Sequence, residues 1–243
     1  MRLDKYLADM GVATRSELKK AIRKGAAEVN GAVAKDPGMQ VSEADEVTWF
    51  GKKVGYASVV YYMLNKPAGV ISATEDRHHR TVLDLVFEYE KSCGSISSLK
   101  RKDLFPVGRL DIDTEGLLLI TNDGALAHQL LSPKHHVDKT YFVRLDKAAT
   151  EEDVQLFAKG FRVDDELTAM PAKLELLPDQ EARITIHEGK FHQIKRMFHA
   201  VGKEVLYLKR LSMGPLVLDE ALDLGKCRPL TEAEVAALKK QGE

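Results

Sequence analysis

The chain has 243 residues, 44% of them hydrophobic and 30% charged, a balance that excludes global disorder and suits a small module joined to a larger domain. No apolar run reaches the ~20 residues that a membrane helix needs, and Asp4 and Asp9 interrupt the stretch where an export signal would need its apolar core. Cys93 and Cys227 cannot build a disulfide framework by themselves, so the expected compartment is the reducing cytoplasm and no membrane contact is expected. The formal net charge of -1 announces no nucleic acid, but the charge is unevenly spread. Residues 1–25 carry Arg2, Lys5, Arg15, Lys19, Lys20, Arg23 and Lys24 against only Asp4, Asp9 and Glu17. Taken alone, such a run describes a solvated helix face as well as it describes a phosphate-binding one.

Leu3, Leu7 and Met10 stand at helical spacing, and Gly11 is the expected stop. Thr14 and Glu17 form a capping box that opens a second helix, with Leu18, Ala21 and Ile22 on its apolar seam and Gly25 at its end. Lys19, Lys20, Arg23 and Lys24 project away from that seam, where they can meet phosphate oxygens. Short strands follow at Ala27–Val29, Ala32–Ala34 and Glu46–Trp49, separated by the turn signals Asn30-Gly31 and Asp36-Pro-Gly38. Two capped helices followed by VNGAVAKDPGMQVSEADEV resemble the small RNA-binding module named after ribosomal small-subunit protein S-four, the αL motif, over residues 1–50. That resemblance implies that the basic residues of this segment (Arg2, Lys5, Arg15, Lys19, Lys20, Arg23 and Lys24) contact RNA. Residues 51–60, with Gly51 and Gly55, read as a linker, and residues 61–243 as a catalytic domain.

In that domain Tyr61–Leu64 is a short apolar strand running into the turn Asn65-Lys-Pro-Ala-Gly69, and Val70–Ala73 resumes as strand. Residues 75–80 read as a polar loop and residues 88–103 as an exposed, Ser-rich excursion. Gly108 and Gly116 bracket a polar loop before the apolar strand Leu117–Thr121, the turn Asn122-Asp-Gly124 and a helix through Leu126, Leu130 and Leu131. A carboxylate in such a loop is well placed on a rigid scaffold, although aspartate in a turn is also commonplace. Arg183–His187 alternates as a strand, and Phe191, Ile194, Phe198 and Val201 mark an apolar helical stripe ended by Gly202. His192, Lys195 and His199 share a different face, expected to point into a cleft. Thr231 and Glu234 form a capping box for a last helix.

GRLDIDTEGLLLITNDG resembles the signature of pseudouridine synthases of the RsuA-like, ribosomal small-subunit type. LNKPAG at Leu64–Gly69, Lys139-Thr-Tyr141, GKFHQIKRM from Gly189, and LYLKRLSMGPL at Leu206–Leu216 occur in that family's order and spread the likeness over nearly the whole chain. The resemblance implies an α+β protein in which the RNA-binding module precedes a catalytic domain built on a mixed, mainly antiparallel sheet flanked by helices. It maps the family's catalytic aspartate onto Asp111, its active-site tyrosine onto Tyr141, and the cation paired with the aspartate onto Lys195, where related branches usually carry Arg. Lysine keeps the charge and loses the two-pronged contact.

Such an enzyme breaks the N1–C1′ bond of a uridine, turns the base and joins C5 to C1′. Nothing is oxidised, and no cofactor or metal is expected: the sequence has no phosphate-binding glycine loop, and His187, Glu188 and His192 lack the helical spacing of a zinc site. The carboxylate can add to C6 of the ring, trap C1′ or take the C2′ proton, and the sequence does not choose among these. Tyr141 is a candidate to stack under the extruded base. Arg109 can fill the vacated space, hold a phosphate or form a loop salt bridge. His192 and Arg196 are expected along the RNA path. The expected partner is ribosomal RNA or a small-subunit assembly intermediate, bound by a monomer, with 16S rRNA as the favoured target. The alternatives are a large-subunit (23S) rRNA enzyme with the same residue roles, and a non-catalytic RNA-binding assembly factor.

Overall fold

The structure is a computed structural model that describes residues 1–10, 12–42, 44–54, 59–93, 101–132 and 136–241. The expected stop at Gly11, the later part of the linker, the middle of the 88–103 excursion and His135 lie outside the described residues. The chain divides into two compact units, Met1–Ser58 and Val59–Glu243.

The first unit contains α1 (Leu3–Asp9), α2 (Arg15–Arg23) and an antiparallel sheet of β1 (Ala27–Val29), β2 (Ala32–Ala34), β3 (Val47–Trp49) and β4 (Lys52–Val54), in the order β2-β1-β3-β4. The capping box of α2 forms as expected: the Thr14 amide donates to Glu17 Oε2 at 3.0 Å, and the Glu17 amide donates back to Thr14 Oγ1 at 3.4 Å. Leu3, Leu7, Leu18, Ile22, Val29 and Val47 close the core. Strand β4 falls in the stretch read as linker. Its hairpin turns at Phe50 and Gly51, with φ of +48° and +74°, the double left-handed geometry of a type I′ turn. Phenylalanine seldom takes that conformation, so the turn carries no sequence signal of the Asn-Gly kind.

The second unit runs through β5 (Tyr61–Lys66), α3 (Val82–Ser92), β6 (Phe105–Pro106), β7 (Glu115–Thr121), α4 (Gly124–Leu131), β8 (Lys139–Leu145), α5 (Glu151–Lys159), β9 (Phe161–Arg162), β10 (Thr168–Ala169), β11 (Lys173–Leu176), β12 (Glu181–Ile186), α6 (Gln193–Ala200), β13 (Val205–Met213), β14 (Leu216–Val217), β15 (Cys227–Pro229) and α7 (Glu232–Gln241). Its large sheet has the order β11-β12-β8-β13-β7-β5-β15, with β14 beside β13 and β6 beside β7. All its pairings among the described residues are antiparallel except β13 with β7. The mixed, mainly antiparallel α+β architecture is the expected one.

Strands β5 and β7 read as unbroken apolar runs because both their faces are covered. Tyr62, Leu64, Leu118 and Ile120 join a core with α3, α5 and α6, whereas Tyr61, Met63, Leu117 and Leu119 join a second core with α4 and α7. Full burial of each such leucine contributes about 2 kcal/mol, so these two strands form a rigid floor. Three expectations change. Strand β5 continues through Asn65 and Lys66; Val70–Ala73 is irregular apart from a single bridge between Ile71 and Thr81; and Glu88–Ser92 belongs to α3, whose capping box at Thr81 and Asp84 was not read from the sequence. Among the described residues no helix is long and apolar enough to cross a membrane.

Candidate active site

The loop between β6 and β7 carries Arg109, Leu110, Asp111, Ile112, Asp113 and Thr114, and the turn after β5 holds it by its backbone. Lys66 is fully buried, and its ammonium lies 3.0 Å from the Asp111 carbonyl oxygen, 2.8 Å from that of Thr114 and 3.3 Å from that of Ile112. The Gly69 amide donates to the Ile112 carbonyl at 2.8 Å, and Ser72 Oγ donates to the Leu110 carbonyl at 2.8 Å. The LNKPAG segment is therefore a clamp on the loop. Each buried carbonyl finds a donor, and the loop gains a single conformation.

Burial pushes the Lys66 ammonium down to about 8, while the charges of Asp113 and Asp111 pull it back up. A neutral amine has one donor fewer for these carbonyls. Turnover should therefore fall as pH rises through about 8 and the loop loosens. The kcat–pH profile checks this. Lys66→Met is expected to lower kcat about 30-fold at neutral pH through misplacement of the loop and to lack that alkaline limb. A profile of wild-type shape in Lys66→Met would separate Lys66 from catalysis.

Asp111, Tyr141 and Lys195 line one cleft, although they come from a loop, from β8 and from α6. Lys195 Nζ lies 3.5 Å from Asp111 Oδ2 and 2.6 Å from Asp113 Oδ1, so the amine is shared between two carboxylates and is closer to the second. Burial pulls the Asp113 carboxyl upward, but the Lys195 hydrogen bond and charge outweigh it and hold the group below its ordinary range. The sequence pointed Lys195 at Asp111 alone. A lysine, as a compact point charge, sits between the two acids without the planar two-pronged geometry of a guanidinium. His192 adds Nε2 at 3.6 Å from Asp111 Oδ1. Tyr141 is almost fully buried, with Ile184 and Arg210 as its cross-strand neighbours, so its ring is fixed where it meets the cleft. The cleft's cavity volume is about 60 Å³, room for about two water molecules.

The other candidates divide. Arg109 is exposed on the cleft rim, and its guanidinium has no partner among the described residues, so the loop salt bridge weighed for it is not formed. Arg196 is paired within the chain: its Nε donates to Asp164 Oδ2 at 2.7 Å, and Glu166 lies 3.6 Å away. His199, expected on the cleft face, instead pairs with Glu204 at 2.6 Å. Phe191 does not join the apolar stripe of α6. It precedes the helix and is 69% exposed, whereas Ile194 and Phe198 are buried.

In the first unit, Arg2, Arg15 and Lys19 gather on the buried Asp4, at 3.1, 3.2 and 4.0 Å. The hydrogen bond from Arg2 holds the Asp4 carboxyl below its usual range against the opposing effect of burial, with Arg15 adding to it. These three cations thus have a structural tie besides any contact they make outside. Lys5, Lys20, Arg23 and Lys24 are exposed.

A short polar loop clamped over a two-faced sheet, with a carboxylate, a lysine and a tyrosine on one cleft, has the makings of a base-isomerising RNA enzyme. Comparison with known proteins agrees. Residues 60–200 match the family described as RNA pseudouridylate synthase, and residues 1–47 match the S4 domain. The chain is 46% identical to an uncharacterised RNA pseudouridine synthase of Bacillus subtilis, over 99% of each chain. It is 40% identical to ribosomal small subunit pseudouridine synthase A of Haemophilus influenzae, over 99% of this chain and 100% of the other. A crystal structure of a pseudouridylate synthase, 39% identical, covers 98% of this chain and 99% of its own with a TM-score of 0.67. The chain belongs to the RNA pseudouridylate synthase family, with an S4 domain at its N-terminal side.

Proposed function

We propose that this chain converts one uridine of 16S ribosomal RNA to pseudouridine, with Asp111 as the essential carboxylate, Lys195 as its cationic neighbour and Tyr141 as the surface on which the extruded base stacks. The observation that carries this reading is the convergence of three residues, 30 or more positions apart in the sequence, on one cleft with a lysine nitrogen 3.5 Å from the carboxylate. The reaction needs no partner reagent. The N1–C1′ bond breaks, C5 joins C1′, the proton leaves C5 and N1 takes one up. Flipping the target base out of its stack costs a few kcal/mol that RNA contacts must offset. Arg109, exposed at the rim and without a partner among the described residues, is the group best placed to take a phosphate or the vacated stack. The name of the Haemophilus influenzae relative supports the small-subunit target.

In this reading residues 1–58 grip structured RNA through the exposed side of α2, in the cytoplasm, where ribosomal RNA and its assembly intermediates are found. Purified protein incubated with 16S rRNA, 23S rRNA and small-subunit assembly intermediates, followed by chemical mapping of pseudouridine, is the test. A single mark in 16S rRNA is expected. A mark only in 23S rRNA overturns the target, and no mark in any of them overturns the enzymatic role. Lys20, Arg23 and Lys24 changed together to Glu should weaken RNA binding and reduce the slope of log affinity against log salt by about 2. An unchanged slope would mean that α2 faces away from the RNA.

A further inference from the structure

Beside the cleft lies a second, larger cavity of about 360 Å³. It shares Arg109, Asp111, Lys190 and His192 with the first, so the two form one continuous groove. Phe191 stands on its rim at 69% exposure, and Ile112, also apolar and exposed, lines the same cavity. The Phe191 ring is not loose. It stacks on the His192 imidazole with centroids 3.8 Å apart and an interplanar angle of 18°. His192 caps α6 in a left-handed conformation, φ +49°, that a residue with a side chain adopts at a cost. The Gln193 amide donates to the Lys190 carbonyl at 3.2 Å, and the Lys190 amide donates to Gln193 Oε1 at 3.0 Å. The backbone around an exposed apolar ring is thus pinned, and the ring's outer face is left bare.

An aromatic ring held flat and uncovered beside a groove that carries Arg109 is what a stacked nucleobase requires, because every base has a π-face and stacking tolerates any sequence. We infer that Phe191, backed by His192, is the stacking platform for the nucleotide next to the target uridine, and that the second cavity is its subsite. The Arg109 guanidinium, without a partner among the described residues, lies on the same groove, where a connecting phosphate would run, while Lys190 on the same lining is held by Glu188 at 3.1 Å. The inference rests on the proposed RNA substrate and adds to it a residue that sets how the strand enters.

A coupling experiment tests it. Short RNAs spanning the mapped uridine carry either the natural base or an abasic sugar at each flanking position in turn. Their affinities are measured with an Asp111→Asn protein, which leaves the RNA unconverted, with and without Phe191→Ala or Phe191→Tyr. Phe191→Ala should weaken binding of natural RNA about tenfold. An abasic sugar at one flank should do the same to the parent, and the two changes together should cost no more than either alone, while Phe191→Tyr keeps the parent affinity. Losses that multiply, or no loss in either single change, overturn the subsite. Conversion of the natural fragment by the wild-type enzyme is run alongside. Conversion without coupling removes the subsite only, whereas failure to convert removes the assigned substrate and the subsite with it.

Discussion

Asp111→Asn is expected to lower pseudouridine formation by roughly 10⁴-fold or more, about 5.5 kcal/mol of barrier, while RNA affinity stays within about threefold. The asymmetry follows from how the residue is held. The loop is fixed by hydrogen bonds to its backbone carbonyls from Lys66, Gly69 and Ser72, none of which involves the Asp111 side chain. Lys195 keeps its 2.6 Å bond to Asp113, so the substitution strands no buried amine. An amide has the carboxylate's size and almost none of its nucleophilicity or basicity, so the substitution removes the chemistry and spares the shape. Single-turnover rates with affinities from the same RNA give both numbers. Turnover comparable to wild type would refute the role of Asp111. A large loss of affinity would mean that its side chain holds the cleft together.

Gly116→Ala is expected to be the most damaging single methyl in the catalytic domain, at about 4 kcal/mol and a melting temperature lowered by about 10 °C. Gly116 pairs with Arg210 in the parallel seam between β7 and β13, and with Lys66 across the antiparallel pair on its other side. A Cβ there would lie 2.2 Å from the Arg210 carbonyl oxygen and 2.7 Å from its amide nitrogen, both backbone atoms that cannot step aside. The φ of +102° adds conformational strain of its own. Gly202→Ala separates the two contributions: φ is +74° there, with no atom within 4 Å of the added carbon, so it carries only the backbone cost of about 1 kcal/mol. Thermal unfolding followed by circular dichroism checks the pair. Equal losses in both would show that β13 does not approach as closely as the structure has it.

The parts of this protein legible in its sequence are those with a local physical signature. The capping boxes at Thr14 and Thr231, the Asn30-Gly31 turn and the continuous Leu117–Ile120 run each announce themselves within a few residues, and each appears in the structure. The boxes at Thr81 and Thr150 use Asp84 and Asp153 where Glu or Gln is the usual signal, and α3 and α5 were not foreseen. The motif resemblance pointed to Asp111, Tyr141 and Lys195, but not to how they are held. Lys66 reads as a polar residue at a turn. Only the register of β5 against β7 buries it beneath the loop, although a lysine closing an apolar run just before Pro67 was a usable hint. Asp113 carries no sequence signal, because nothing in the local pattern says that an amine 82 residues away will bond to it. Phe191 was assigned to the core because helical spacing was carried one turn too far; the helix begins at Gln193, and the left-handed His192 swings the preceding ring outward.

Strand β13 lies in the interior of the large sheet, between β8 and β7, yet of those three it is the last in the chain. On one side of it stand β11, β12 and β8, bearing Tyr141; on the other stand β7, β5 and β15, bearing the Asp111 loop and its lysine clamp. Without residues 205–213 between them, β8 and β7 have no strand to join them. Strand β13 is thus a keystone made after both of its neighbours. A chain halted before Val205 already contains Asp111, Tyr141 and Lys195 and lacks the strand that brings their two halves of the sheet together, so no activity is expected before that strand is made.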